Sequence, residues 1–587
     1  TNNRKGRVGI SFRKRTKSAN PIVGLLIDGL DARLAYSMTS GSSVTTEYDS
    51  DGVDAGLSWV REPQAREIPI VPGFAEGIVR TLLPGFLEEK LLSSRLRWNP
   101  ERVSVGTSYT HVDSEMFRFQ GIVEHPDDSL AIVTSAPREA LQTAVDMRFR
   151  PLESFMANLT WMATRDVLSA DQAVSDPRVQ ELLKAERTQA AGLDFGWETN
   201  RFLQTRVSFT PRIFSWLRNE VDWTTVYRSD RNASFLTQEV VGMDTTLALA
   251  RNASGRRDWR ADFGLIPRDL AVSWLGEASE GESSEVSQLR SIISAVRPLT
   301  LTYEDGIISR FNREPINPGL GYQFGFGETD DFRLISGDTA ATLTDRSAWT
   351  MGSGVTIPGG FGLEAAYSLV EGVTLDTRSD RTTTQKVWPN LRAQLPPLSL
   401  PAVTGIRTIN FSSGVVRTER ETVFGGRGLQ RRFDEDLQVP INVSIAWRGT
   451  LVTSYQGSFR NGHGSDPTGD TERGQHTHRI SLSSRFLPPF GLARRLEQPV
   501  NFSFLANHTS ERDCRTTAAK KECVPFLDLI RRSVNMSLDT NIRGFEFGVQ
   551  ISYDDRHSFV GQRTGSTQLR VMLFGQLQFS AGAIPFR

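Results

Sequence analysis

The chain has 587 residues, with 68 Lys+Arg balanced by 68 Asp+Glu and only 38% hydrophobic residues, so no net charge draws it to nucleic acid or an anionic surface. No apolar run approaches the ~18 residues that cross a bilayer as a helix; the patch PIVGLLI at 21–27 is far too short, and a helical membrane protein is excluded. The length would make several soluble domains of roughly 150 residues each, yet no composition break separates them.

Taken in chain order, TNNRKGRVGISFRKR opens the sequence with no initiator Met and no charged-then-apolar leader, which reads as a removed leader or an internal piece of a longer protein. Ala32, Leu34, Tyr36 and Met38 then alternate with Asp31, Arg33, Ala35 and Ser37. An apolar connector follows over 61–93, where VPGFAEGIVRTLLPGFLEEKLL predicts short helices broken by Pro72 and Pro84. Phe155, Ala157, Leu159, Trp161 and Ala163 alternate with a set that includes Asn158 and Thr160. In the connector 176–188, Asp176 is placed to cap a helix with Pro177 in its first turn. At 277–296 an acidic loop carrying Glu277, Glu280, Glu282 and Glu285 precedes a third short helix; such a loop is either solvated or a calcium ligand set.

The alternation returns towards the carboxyl end. Ile441, Val443, Ile445 and Trp447 alternate with Asn442, Ser444, Ala446 and Arg448. Val500, Phe502, Phe504 and Ala506 do so with a set that includes Asn501 and Ser503, and Val534, Met536 and Leu538 with Asn535 and Ser537. In GFEFGVQISYDD, Phe545, Phe547, Val549, Ile551 and Tyr553 alternate with Glu546, Gly548, Gln550 and Ser552. A period of two places each apolar set on one face of a strand.

About two dozen strands of this kind are expected, each near the ~9–11 residues that cross a bilayer at a tilt. Polar connectors such as SGSSVTTEYDSDG, RNGHGSDPTGDTERG and DDRHSFVGQRTGS lie between them. Stacked soluble sandwiches would need visible linkers and would bury the polar set against a second sheet. A transmembrane barrel needs one uninterrupted series, with short turns at one end and long loops at the other. The fold class expected is therefore all-β, a large antiparallel transmembrane β-barrel, or the carboxyl-terminal portion of one, with long polar loops and a few short helices over 1–587.

Its lumen-facing residues would be Asn158, Thr160, Asn442, Ser444, Arg448, Asn501, Ser503, Asn535, Ser537, Glu546 and Gln550. The lipid-facing set would be Ile441, Val443, Ile445, Phe502, Phe504, Phe545, Phe547, Val549 and Ile551. Cys514 and Cys523, the only cysteines, read as a disulfide stapling a polar loop over 509–527, which requires an oxidising compartment; two free thiols are the other reading. His463, His476 and His478 lie near Asp466 and Asp470 in a Gly-rich stretch, a weak metal-ligand pattern better read as a solvated loop. GFGETD and FGGRGLQ have phosphate-loop glycine content without a following helix and read as turns or strand bends. With no Gly-x-Ser-x-Gly, P-loop or His-Glu-x-x-His motif, neither an enzyme nor a cofactor is expected.

LDARLAYSMTSGSSVTTEYDSDGVDAGLSWV, SSRLRWNPERVSVGTSYTHVDSEMFRF, NPGLGYQFGFGETDDF and VWPNLRAQLPPLSLPAVTGIRTINFSSG, in that order, resemble the carboxyl-terminal region of the SprA/Sov family. These are giant outer-membrane translocons of type IX secretion and gliding motility. The resemblance covers most of the chain at the level of pattern, with Trp388 standing before Pro389 where the family has Trp after Asn. It implies a bacterial outer-membrane, protein-conducting barrel whose partners are the surrounding lipid, exported cargo, a plug, accessory secretion proteins and an amino-terminal part of the same protein. A large porin or nutrient transporter of the same architecture, and a surface adhesive β-protein, are the alternatives.

Overall fold

The computed structural model describes residues 2–577 apart from 15–26, 44, 64–65, 71–93, 120–130, 191, 213, 242–243, 277–283, 358, 377–378, 402–404, 426–429, 488–498, 518–519, 543–544 and 562–563. Twenty-three strands form one sheet, an antiparallel meander in which each stave pairs with the next along the chain. Ala131–Ser135 and Arg138–Leu152 lie in one register against Arg102–Phe119. Asp380–Gln394 and Leu398–Ser399 likewise share Ile406–Phe424. Counting each such pair once leaves 21 staves of the 23 strands.

An odd count has a geometric consequence: in an antiparallel series the first stave, Asn2–Arg13, and the last, Thr564–Leu577, run in the same direction. Among the described residues these two do not pair with each other. Their outward side chains stand more open than those inside the wall, with Val8 74%, Ile10 75% and Leu573 77% exposed against 39% for Leu538 and 37% for Phe547.

The staves run from 12 residues in Asn2–Arg13 to 25 in Leu217–Val241, longer than the expected crossing length. This corrects the reading of the polar connectors as loops. SGSSVTTEYDSDG is strand up to Ser42 and again from Thr46. RNGHGSDPTGDTERG is strand except between Asp466 and Gly469, and DDRHSFVGQRTGS is strand up to Ser558 and from Thr564. Beyond a hydrocarbon layer both faces meet water, so the alternation fades, while each backbone N–H and C=O still takes its ladder partner. The expected division into short turns at one end and long loops at the other is also corrected. Two-residue connections occur at opposite ends, after Asp466 and after Leu152. At the first, the Asp466 carboxylate accepts the Thr468 N–H at 2.8 Å and Gly469 takes φ +140°, the division of labour expected of Asp and Gly in a tight turn.

The segment 509–527, expected as a stapled loop, is likewise a hairpin: Val500–Thr517 pairs with Lys520–Ile542, and Cys514 is bonded to Cys523 across it. The ladder shifts register on both sides of Cys514, so the bridge lies where hydrogen bonding is interrupted. Cys523→Ser is expected to leave the wall intact and to loosen this hairpin end by about 2–3 kcal/mol, seen as new protease cleavage within 515–524. Unchanged cleavage would assign closure to the ladder alone.

Two inserts at one end of the wall fold back over its apolar face. Within 167–196, the helix Pro177–Glu186 is capped by Asp176, whose side chain accepts from Arg178 N–H at 2.9 Å, and buries Val179 and Leu183 against Trp197 and Leu249. Arg187 fastens this insert, donating to the carbonyls of Val167 and Leu168 and to Asp194. Partial burial works to raise the Asp194 carboxyl, but the Gly196 N–H and Arg187 outweigh it and hold it below the usual carboxylate range.

In 315–341 the short helices Leu320–Phe324 and Thr329–Arg333 flank 325–328, where GFGETD makes the turn and bend expected of it; the short helix that follows was not expected. The buried residues Ile316, Tyr322, Phe332 and Ile335 lie on Leu203, Tyr227, Ile307, Phe311 and Leu343. The register Leu203, Tyr227, Gly255, Ser309, Leu343 runs straight across five staves. Glycine is needed within it, because a Cβ on Gly255 would fall 2.6 Å from the Tyr322 ring. At this level the apolar face is covered by protein, which spares Tyr227 and Phe311 from water. A helix also occupies Ser284–Ala295, preceded by the unforeseen helix Pro267–Leu275. The helices expected at 71–92, the glutamates 277–282 and the stretch FGGRGLQ lie wholly or largely outside the described residues.

Candidate functional site: the polar face of the wall

Strand register sorts the residues picked from the sequence onto two continuous faces. On one, Phe502 stands in a row with Leu538 and Val549, and Phe504 with Met536 and Ile551; Ile441, Val443 and Ile445 hold corresponding positions opposite Ser413, Phe411 and Ile409. On the other, Asn501 stands opposite Asp539 and Ser503 opposite Ser537, which is itself opposite Gln550. Asn158, Thr160, Asn442, Ser444 and Asn535 occupy the same polar face. Phe545 and Glu546 continue the alternation in register, opposite Ile542 and Asn541, as do Phe547, Val549 and Ile551 beyond them. Arg448 is corrected: the strand ends at Trp447, and Arg448 lies in the exposed turn beyond it.

Cross-strand hydrogen bonds lace the polar face. Thr160 donates to Asp146 at 2.8 Å and Arg148 to Asn158 at 3.2 Å; Asn501 donates to Asp539 at 2.9 Å, and the Ser503 and Ser537 hydroxyls meet at 2.7 Å. Such pairs satisfy polar groups laterally while leaving the surface wet.

Two charged fields on this face escaped the sequence reading. In the first, Arg256, Asp258, Arg260 and Asp262 follow one another along a single strand; Arg260 reaches Asp262 at 2.6 Å and Glu304 at 3.1 Å, and Arg206 lies 3.6 Å from Asp222. In the second, Arg460 grips Asp436 through two nitrogens at 3.1 and 2.7 Å. Arg432 and Arg473 share Asp434 at 2.7 and 3.3 Å. These residues line a depression of about 350 Å³ together with Arg420, Thr418 and Gln438. The missed signal was present: charges at every second position, alternating in sign in RRDWRADF and running Arg432, Asp434, Asp436 in RRFDEDLQ, put a charge ladder on one strand face. Across the two fields the seven arginines named stand among six carboxylates, so this face is densely charged there with little net charge.

The histidine stretch is also strand. His476 and His478 lie on Gly469–Phe486 and His463 on Val452–Asp466. His478 faces Gly457 and His508, whereas His463 faces Glu472 further along.

No protein-family model and no curated protein matches the sequence. Among solved structures the chain is similar to OccAB3 of Acinetobacter baumannii, at 10% identity over 76% of this chain and 94% of that one with a TM-score of 0.22. It is similar to BauA, the ferric preacinetobactin receptor of Acinetobacter baumannii, at 7% identity over 97% and 77% with a TM-score of 0.18. It is also similar to the P pilus usher (PapC) translocation pore, at 8% identity over 94% and 99% with a TM-score of 0.16.

Proposed function

We propose that this chain is the wall of a bacterial outer-membrane pore that conducts proteins through a polar lumen, as the resemblance to the SprA/Sov translocons implies. The observation that carries the reading is the polar, cross-braced face that strand register sets behind an apolar face in a wall of 21 staves. Barrels of 16–18 strands already leave an aqueous channel, and this wall is wider. An odd-staved antiparallel sheet closes on itself only through a parallel seam. An odd number of further strands, from the same or another polypeptide, closes it with antiparallel pairing throughout and widens the lumen. Catalysis has no part in this function; passage is controlled by a plug and accessory proteins.

Deleting the gene is expected to abolish surface delivery of specific proteins while small-solute uptake continues. Lost uptake with intact export would move the assignment to a porin or nutrient transporter. Recovery of the chain in the aqueous fraction without detergent would overturn the membrane wall itself.

A further inference from the structure

On the apolar face, three neighbouring staves change character at one register row. Ile480, Ala506 and Val534 stand side by side, and two residues further along stand His478, His508 and Arg532. The His478 and His508 rings stack with centroids 6.1 Å apart. The Tyr455 hydroxyl lies 2.8 Å from His478 Nδ1, which leaves Nε2 for another partner. His476, one step beyond, packs its ring 5.6 Å from Phe459.

Arg532 is exposed, and among the described residues it has no ion pair or side-chain hydrogen bond. Its neighbours in the same region are committed. Arg531, on the polar face, pairs with Asp554 at 3.1 Å. Asp555, next in the row after Arg532, is buried and held by Thr567 at 2.9 Å and His557 at 2.9 Å. Elsewhere on the apolar face Arg417 pairs with Glu419 and Glu435, each at 2.7 Å. Arg532 is thus a forked cation beside two imidazoles, one step outside the apolar band.

On the reading of this chain as a membrane wall, that step is the headgroup level, where phosphates lie. The strands run on nine residues past this row to the turn at Asp466 and Gly469, and the folded inserts 167–196 and 315–341 lie at the same end of the wall, which we take as the outward-facing one. We propose that Arg532, with His508 and His478 as flanking donors, binds a phosphate on the sugar headgroup of an outer-leaflet glycolipid. The guanidinium fork suits the planar, paired oxygens of a phosphate, and the imidazoles supply further N–H donors.

The test uses the purified chain in detergent, titrated with bis-phosphorylated lipid A, with the same lipid enzymatically dephosphorylated, and with phosphatidylglycerol, the adducts counted by native mass spectrometry. Arg532→Ala is expected to weaken lipid A binding about tenfold, Arg532→Lys to restore part of it, and neither to change binding of the dephosphorylated lipid. Equal lipid A binding by Arg532→Ala and the unaltered chain overturns the site. Equal, Arg532-dependent affinity for phosphatidylglycerol overturns the glycolipid assignment. Flotation of the same proteins with vesicles tests the wall separately: a chain that does not float overturns that reading and this one with it, whereas a floating Arg532→Ala that keeps lipid A overturns only the site.

Discussion

Phe332→Ala is expected to cost about 3–5 kcal/mol, the loss typical of deleting a large aromatic ring from a packed core. Phe332 is fully buried although it belongs to a helix of five residues, too short to hold itself together in water. Its ring lies 5.1 Å from that of Tyr322 and beneath the Arg257 guanidinium at 5.6 Å. Removing it frees the insert 315–341 and uncovers Ile307, Phe311 and Tyr227, which now have essentially no contact with water. The expected result is rapid protease cleavage within the insert together with a lowered unfolding midpoint of the adjoining staves. A loss below about 1 kcal/mol would mean that the insert is held by something other than this core. Gly255→Leu attacks the same junction from the sheet side, since even its Cβ would fall within 2.6 Å of Tyr322, and should give the same cleavage pattern.

What the sequence made legible follows from where each segment's constraint lies. Where one face meets an apolar medium and the other water, as in Phe545–Ser558, period-two alternation is forced residue by residue, and the faces could be read from Phe547, Val549 and Gln550 directly. The Asp176 cap with Pro177 was legible for a similar reason: its chemistry is local to a few residues. Past the band that constraint disappears. RNGHGSDPTGDTERG has the composition of a loop, yet the ladder carries it as strand from both sides to Asp466 and Gly469. Nothing in a single segment records that its neighbour continues too. The helices of the insert 315–341 were not legible because they owe their form to Tyr227, Gly255 and Ile307, residues far away in the chain. The charge ladder Arg256, Asp258, Arg260, Asp262 was readable in principle, since Trp259, Ala261 and Phe263 stand between its members, but five charges in eight residues give RRDWRADF the composition of a solvated stretch.

The faces themselves are open to a paired substitution one residue apart. Phe504 stands in the apolar row with Leu482, Met536 and Ile551, whereas the Ser503 hydroxyl meets that of Ser537 at 2.7 Å on the polar face. Arginine on the lipid side near the middle of a barrel wall costs about 2–4 kcal/mol, because the guanidinium must be hydrated within hydrocarbon or drawn out of it. Ser503→Arg is expected to stay within about 0.5 kcal/mol, since its side chain enters water. The measurement is folding of each variant into phospholipid vesicles, followed by heat-modifiable electrophoretic mobility across a urea series. In detergent micelles the gap should narrow, because a micelle deforms around a charge more readily than a bilayer does. Equal costs in vesicles would remove the lipid face, and a larger cost for Ser503→Arg would exchange the two faces. A gap of 2 kcal/mol or more in the expected direction, about thirtyfold in the folding equilibrium, would fix which side of the wall faces lipid through two adjacent residues on one strand.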